Sequence, residues 1–343
     1  MHWTESVIAN LDSIWVPHRN FELAKADLFS AALIGPGQVI LVEGPTRAGK
    51  SSLVEKFTAE LCGKLGGDQR YMPIVTVTAE NNSTNGEFSS KAFTLAALQA
   101  VRHPMFSLDE IDFDIKRLRM ISETSEGTLR EALEQALKLR RTAYFVVDEA
   151  QHIAHIKGGA KAAGKFLDSL KCLASRTGAR LVPVGTYQLT PLMQLSTHLL
   201  GRTTRIHIPR YRADVREDVI AFDQILAAYS LHLKFEDGRS LRSWNEYLYN
   251  GSLGCMGLLK AWLRDALRKA LLNKHPVLRL RHFEMARRSD ADLACIMREI
   301  SDGEAQTQVQ SIPAEPIEQS KPKARPFRAK ARRFPVKANG VRA

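Results

Sequence analysis

Residues 38–52 read Gln38-Val39-Ile40-Leu41-Val42-Glu43-Gly44-Pro45-Thr46-Arg47-Ala48-Gly49-Lys50-Ser51-Ser52, and this stretch decides the fold. Val39 to Val42 is an apolar run of the kind that forms a buried strand. Gly44 to Ser51 match G-x-x-x-x-G-K-[ST], and Leu53, Val54 and Phe57 carry on as the apolar positions of a helix. Strand, glycine loop and helix in that order make a phosphate cradle. Glycine lets the loop curl so that its N–H groups face an anion, and the positive end of the following helix points at the same anion. The residues expected to bind nucleotide are therefore Gly44, Pro45, Thr46, Arg47, Ala48, Gly49, Lys50, Ser51 and Ser52. Lys50 is expected to reach the outer phosphates, and the Ser51 hydroxyl to sit on Mg²⁺, so ATP and Mg²⁺ are the expected cofactors.

A second segment, Ala143-Tyr144-Phe145-Val146-Val147-Asp148-Glu149, is an apolar strand ending in two acids. Two such acids can serve as the N-cap of the next helix. Downstream of a phosphate loop, at the spacing of one or two strand–helix units, they gain another use. Asp148 is then the expected Mg²⁺ ligand with Ser51, and Glu149 the group that polarises the attacking water.

The chain has 343 residues, 44% of them hydrophobic, enough for one or two packed domains. No apolar run approaches the roughly 20 residues that cross a bilayer, and no membrane role is expected. The first fifteen residues carry acids and no basic-then-apolar pattern, so they do not read as a secretory signal. Cys62, Cys172, Cys255 and Cys295 lie far apart with no C-x-x-C pair, which speaks for reduced thiols in a cytoplasmic protein rather than a zinc or redox site. The net charge of +12 points to an anionic partner such as nucleic acid. Residues 313–343 hold nine Lys/Arg against Glu315 and Glu318, so seven of the twelve net charges sit there.

Along the chain, apolar β segments alternate with helical ones. Helices are expected over 21–33, 51–65, 88–101, 128–140 and 165–176, and strands over 72–78, 180–184 and 204–208 besides the two above. Strands apolar on both faces predict a five-stranded parallel sheet covered by helices. Beyond Ala213 the β pattern stops. Residues 215–230, 240–250 and 255–272 read as helices, the last with Met256, Leu259, Leu263, Leu267 and Leu271 at helical spacing, and a further helix is expected at 289–300. The expected domains are an N-terminal segment (1–36), an α/β nucleotide-binding domain (37–212), an all-helical lid (213–300) and a disordered basic tail (301–343). The segment Trp15–Phe21 is expected either to pack on the nucleotide base or to lead into a helix covering the sheet.

An α/β nucleotide domain followed by a helical lid resembles the AAA+ P-loop NTPase plan. Four strings narrow the resemblance: Val16-Pro17-His18-Arg19-Asn20-Phe21, Asp148-Glu149-Ala150-Gln151-His152, Val184-Gly185-Thr186, and Arg202 to Tyr211. Together they resemble the TniB/TnsC family of transposition regulators over about residues 12–272. The resemblance implies an ATPase that assembles on double-stranded DNA as a homo-oligomeric ring, hexameric in many AAA+ proteins, or as a helical filament. It would link a target selector to the transposase, with hydrolysis driving disassembly. It implies that Thr186 is the polar sensor placing the attacking water. It also implies an arginine finger serving a neighbouring subunit, from Arg202 or Arg205 with Arg210 as a third candidate, and the sequence does not choose among them. The lid arginine common in the class has no evident counterpart in Gly254–Lys260; Lys260 or Arg264 could replace it.

For DNA, the candidate contacts are Lys116, Arg117 and Arg119, and Lys157, Lys161 and Lys165, in segments able to form channel-facing loops. The basic tail suits DNA or a partner protein. Two other functions share this plan. One is a replication initiator or helicase loader, which usually carries a DNA-reading winged helix after the lid; the roughly thirty residues from Leu272 to Asp302 are few for one. The other is a nucleotide-dependent signalling switch that ignores DNA.

Overall fold

Strands β1 (Val39–Glu43), β2 (Ile74–Thr78), β3 (Tyr144–Asp148), β4 (Arg180–Gly185) and β5 (Thr203–His207) pair in parallel in the order β2-β3-β4-β1-β5. The structure, a computed structural model, describes residues 11, 13–33, 35–64, 70–106, 115–196, 199, 201–272 and 277–311. Burial explains the sequence pattern. β1 is buried at every position and β3 and β4 at nearly every one, while the edge strands β2 and β5 expose part of their length.

The period of two along a strand splits the sheet's side chains between two cores. Val39, Leu41, Val75, Val77, Phe145, Val147 and Leu181 face one core. It is completed by α3 (Ser90–Ala100), α5 (Glu126–Leu139) and α6 (Gly159–Thr177). Ile40, Val42, Val146, Val182, Val184 and Ile206 face the other, against α1 (Arg19–Ala32) and α2 (Lys50–Lys64). Serine caps set two helix starts: the Ser89 and Ser125 hydroxyls accept the N–H groups of Ala92 (3.2 Å) and Thr128 (3.1 Å). Helix α4 (Ile115–Glu123) precedes α5, and a short α7 (Leu189–Gln194) follows β4.

The parallel register has a functional consequence. Thr78 pairs with Asp148, and Glu43 pairs with both Gly185 and His207. The chain therefore leaves β1, β3, β4 and β5 along one edge of the sheet, as a parallel sheet must when its crossovers return to the same side.

Helices α8 (Arg216–Ser230), α9 (Asn245–Ser252), α10 (Met256–Leu272) and α11 (Leu280–Ala286) form a second body around Phe222, Ile225, Leu226, Leu259, Trp262, Leu263 and Phe283. Leu259 and Leu263 are fully buried there, and each such leucine stabilises by about 1.5–3 kcal/mol. Leu11 and Val16 insert into this core, so the N-terminal segment crosses from the lid to α1.

The expected end of the lid at residue 300 is corrected by α12, which runs unbroken over Asp290–Ser311. Its apolar positions Leu293 and Ile300 pack with Leu253, Cys255 and Leu258. Gly303 lies so close to Tyr187 that a Cβ there would sit 2.1 Å from the ring. The polar composition after Asp302 is the outer face of a packed helix, not an unstructured tail. Residues 312–343 lie outside the described residues. Among the described residues, no helix is long and apolar enough to cross a membrane.

Candidate functional site

The phosphate loop joins β1 to α2 at the edge where the strands end. Gly44 approaches β5 so closely that a Cβ would stand 2.5 Å from the Ile208 carbonyl oxygen, and Gly49 has φ +103°, which side-chain-bearing residues rarely adopt. The Lys50 ammonium, 7% exposed, donates to the carbonyls of Pro45 (2.7 Å) and Gly44 (3.2 Å). Burial pushes its pKa down, and the carboxylates of Glu149 and Asp148 oppose that shift.

Ser51 Oγ donates to Asp148 Oδ2 at 2.9 Å, so the tip of α2 touches the end of β3. A hydroxyl and a carboxylate are hard oxygen donors, the set Mg²⁺ takes together with phosphate oxygens and water. The pair therefore fits the expected ion. Among the described residues no group of three or more His, Cys, Asp or Glu could hold a metal by itself.

Glu149 follows at φ +52°, in the left-handed region that costs a non-glycine residue about 1 kcal/mol or more. Its N–H donates to Asp148 Oδ1 at 2.9 Å, and its carboxylate accepts Gln151 Nε2 at 2.5 Å. Gln151 Oε1 in turn accepts the Thr186 N–H at 3.3 Å. Thr186 sits just past β4, and its buried hydroxyl has no hydrogen-bond partner among the described residues. Such a group is available to water or a phosphate oxygen.

Beside the loop lies a cavity of about 300 Å³. Ala48, Gly49 and Ser52 form its floor, Trp15, His18 and Phe21 one wall, and Tyr229, Met256 and Lys260 the lid side. Its size and aromatic lining suit a flat heteroaromatic ring next to the phosphate cradle. The segment 15–21 thus lines this cavity and leads into α1, which covers the sheet. His18 Nδ1 lies 3.0 Å from the Tyr211 hydroxyl, which accepts the Asn20 N–H. Burial pushes the His18 pKa down to about 4.

The lid closes on the loop through backbone. Gly257 N–H donates to the Arg47 carbonyl at 2.8 Å, and a Cβ on Gly257 would come within 2.5 Å of that oxygen. Lys260 donates to the Ile14 carbonyl at 3.1 Å and faces the cavity. Arg264 is exposed on α10. The contact between lid and phosphate loop is thus made by a backbone glycine, with Lys260 beside it at the cavity.

The three arginine candidates are separated. Arg205 Nη1 pairs with Glu43 Oε1 at 3.2 Å, and Glu43, 1% exposed, also accepts the Thr190 hydroxyl. Arg210 makes a two-pronged pair with Glu304 on α12 at 2.8 and 3.1 Å. Both are engaged within their own chain, which speaks against either as a free finger. Arg202 is exposed at the start of β5, at the opposite end of the strands from the phosphate loop.

Lys116 and Arg117 lie on α4, with side chains outside the described residues, and Arg119 pairs with Glu123 at 2.8 Å. Lys161 and Lys165 are exposed on the first turns of α6, four residues apart and so on one helix face, and exposed Lys157 lies just before that helix.

Sequence reasoning did not single out Gln151, Gly257 or Tyr211. Gln151 stood within the quoted acid string, but nothing local says which way its amide turns.

A family model described as an AAA domain matches residues 34–193. With the sheet order above, this defines the chain's architecture as an AAA+ P-loop NTPase fold followed by a helical C-terminal region. Solved structures share the fold. One is the Aeropyrum pernix ORC2 protein in ADPNP–ADP complexes (TM-score 0.54, 15% identity, 80% of this chain and 70% of that chain covered). A second is the Aeropyrum pernix ORC1 protein in complex with DNA (0.55, 15%, 87% and 69%). A third is Drosophila ORC bound to DNA (0.51, 13%, 91% and 80%). No curated protein sequence matches the chain.

Proposed function

We propose that this chain hydrolyses ATP with Mg²⁺, assembles with copies of itself on double-stranded DNA, and regulates transposition by joining a target selector to a transposase in the cytoplasm. The observation that carries the ATPase reading is the convergence of Lys50, the Ser51–Asp148 pair, Glu149 and Thr186 at one edge of the sheet. In that reaction a water oxygen bonds to the γ-phosphorus as the bond to the β-phosphate oxygen breaks, and Glu149 takes the water's proton. Lys50 and the loop N–H groups hold the phosphates, and the aromatic cavity takes the base.

The DNA reading draws on the net charge, the lysines on and before α6, and the likeness to initiator structures solved with DNA. Arg202, exposed and distant from its own phosphate loop, suits a finger for a neighbouring subunit. The transposition reading rests on the quoted strings. A replication initiator is the second reading, favoured by the structural likeness.

Electron microscopy with ATP, with and without duplex DNA, tests the proposal on wild type and Glu149→Gln. DNA-dependent rings or filaments that last longer in the variant are expected. Hydrolysis and assembly indifferent to DNA would refute the DNA reading. Assembly on DNA without recruitment of a transposase would leave the initiator reading standing in its place.

A further inference from the structure

We infer that Gln151 is a positioning residue for hydrolysis: its side-chain amide ties the Glu149 carboxylate to the Thr186 turn and holds the two at a fixed separation across the attacking water. The inference rests on the ATPase reading above and assigns a role to a side chain outside the phosphate-loop and strand-end acids.

The chemistry of the bridge is specific. A carboxylate only accepts and a backbone N–H only donates. Glu149 Oε2 accepts Gln151 Nε2 at 2.5 Å, and Gln151 Oε1 accepts Thr186 N–H at 3.3 Å. A primary amide presents one donor group and one acceptor on the same short arm, so it satisfies both partners at once, and these partners also fix its orientation. Gln151 is 7% exposed, which keeps water from replacing either bond. The fold makes room for it. Gly185 carries no side chain, and a Cβ there would lie 2.4 Å from Gln151 Oε1. The short 3-10 helix Ala150–His155 that delivers Gln151 starts from the left-handed Glu149. That turn brings residue 151 back beside residue 149 and against β4.

Glu149 is thus steered by the same amide that reads the Thr186 backbone. A general base contributes only when it is within hydrogen-bond reach of the water, and a displacement of about 1 Å can cost on the order of 100-fold. The amide sets that reach. The Thr186 hydroxyl, buried and unpartnered, stands at the other end of the bridge as the second group able to hold the water.

The experiment compares wild type, Gln151→Met, Gln151→Glu and Gly185→Ala in the full chain. It measures kcat and KM by phosphate release, ATP affinity by titration, and folding by thermal melt. Gln151→Met keeps the length and loses both hydrogen bonds. Its kcat should fall about 10- to 100-fold, with ATP affinity within about twofold of wild type. Gly185→Ala should lower kcat in the same sense, because the atom it displaces is the flexible end of Gln151. Gln151→Glu supplies the diagnostic signature. As a carboxylate it repels Glu149; as a neutral carboxylic acid it offers one O–H donor and one acceptor, as the amide does. Its kcat, low at pH 8, should recover relative to Gln151→Met as the pH falls to 6, a direction opposite to that of a simple general base. Unchanged kcat in Gln151→Met, a rise in kcat, or a loss shared equally with ATP affinity would overturn the inference. Folded wild type that binds ATP without hydrolysing it would overturn the ATPase reading as well, which separates the two failures.

Discussion

Replacing Gly257 by alanine should loosen nucleotide binding without unfolding the protein. Gly257 is the second residue of α10, and its N–H donates to the Arg47 carbonyl at 2.8 Å. The added methyl would stand 2.5 Å from that oxygen and 3.1 Å from Arg47 Cβ. Carbon–oxygen contact is comfortable only from about 3.5 Å, so lid and loop must separate by about 1 Å. No flexible side chain can yield, because the obstructing atom is backbone. The hydrogen bond is then lost, at about 1 kcal/mol. The wall formed by Met256, Gly257 and Lys260 also moves off the loop that floors the cavity. Affinity for ATP or ADP should fall about five- to tenfold, read by titration with a fluorescent nucleotide. Gly63→Ala is the matched control: a Cβ there meets nothing within 4 Å on α2, so affinity should not change, and helix propensity should stabilise the fold by up to about 1 kcal/mol. Gly257→Ala binding nucleotide as tightly as wild type would refute the idea that backbone docking of the lid shapes the site.

Arg205→Met should destabilise the chain by about 1–3 kcal/mol in urea unfolding, because Glu43, 1% exposed, loses its cationic partner; the loss is discounted for the partial exposure of Arg205, and unchanged stability would show that the pair contributes nothing net. Arg202→Ala should spare nucleotide binding and remove assembly-dependent hydrolysis, and mixing it with Lys50→Ala should restore turnover if the finger acts on a neighbour; no complementation would remove that role. His18 carries a pH dependence of stability. Its pKa is pushed down to about 4 by burial, against 6.5 for the free side chain, so between those values the unfolded chain binds more protons than the folded one. Its contribution, at most about 3 kcal/mol, is fully present above pH 6.5 and is lost as the pH falls through about 4. Burial lowers His103 and His207 too, in the same direction, so the test is a comparison: melting temperature should fall less steeply with acid in His18→Gln than in wild type.

Most of the nucleotide half was legible in the sequence. The five strands announce themselves because central parallel strands bury both faces and must be apolar throughout, as Val39–Val42 and Tyr144–Val147 are. Lys50, Ser51 and Asp148 were legible for another reason: a glycine loop between strand and helix is a local device whose geometry needs few distant partners. The end of the lid was misread because α12 hides its buried stripe among acids and glutamines. Leu293, Ile300 and Gly303 look unremarkable until Cys255 and Tyr187 are seen against them.

The sequence alone determined the phosphate loop, the acidic strand end, the parallel sheet and the helical lid, since each is written in a short-range pattern of polarity and turn residues. Tertiary structure alone decided that Arg205 and Arg210 pair within the chain, that the backbone of Gly257 docks on the loop, and that Gln151 joins Glu149 to Thr186. Those outcomes depend on which strands become neighbours and in what register. Glu43 meets Arg205 only because β1 pairs with β5, and Gly185 clears space for Gln151 only because β3 pairs with β4. The first pairing joins residues more than a hundred positions apart, and no local pattern encodes either.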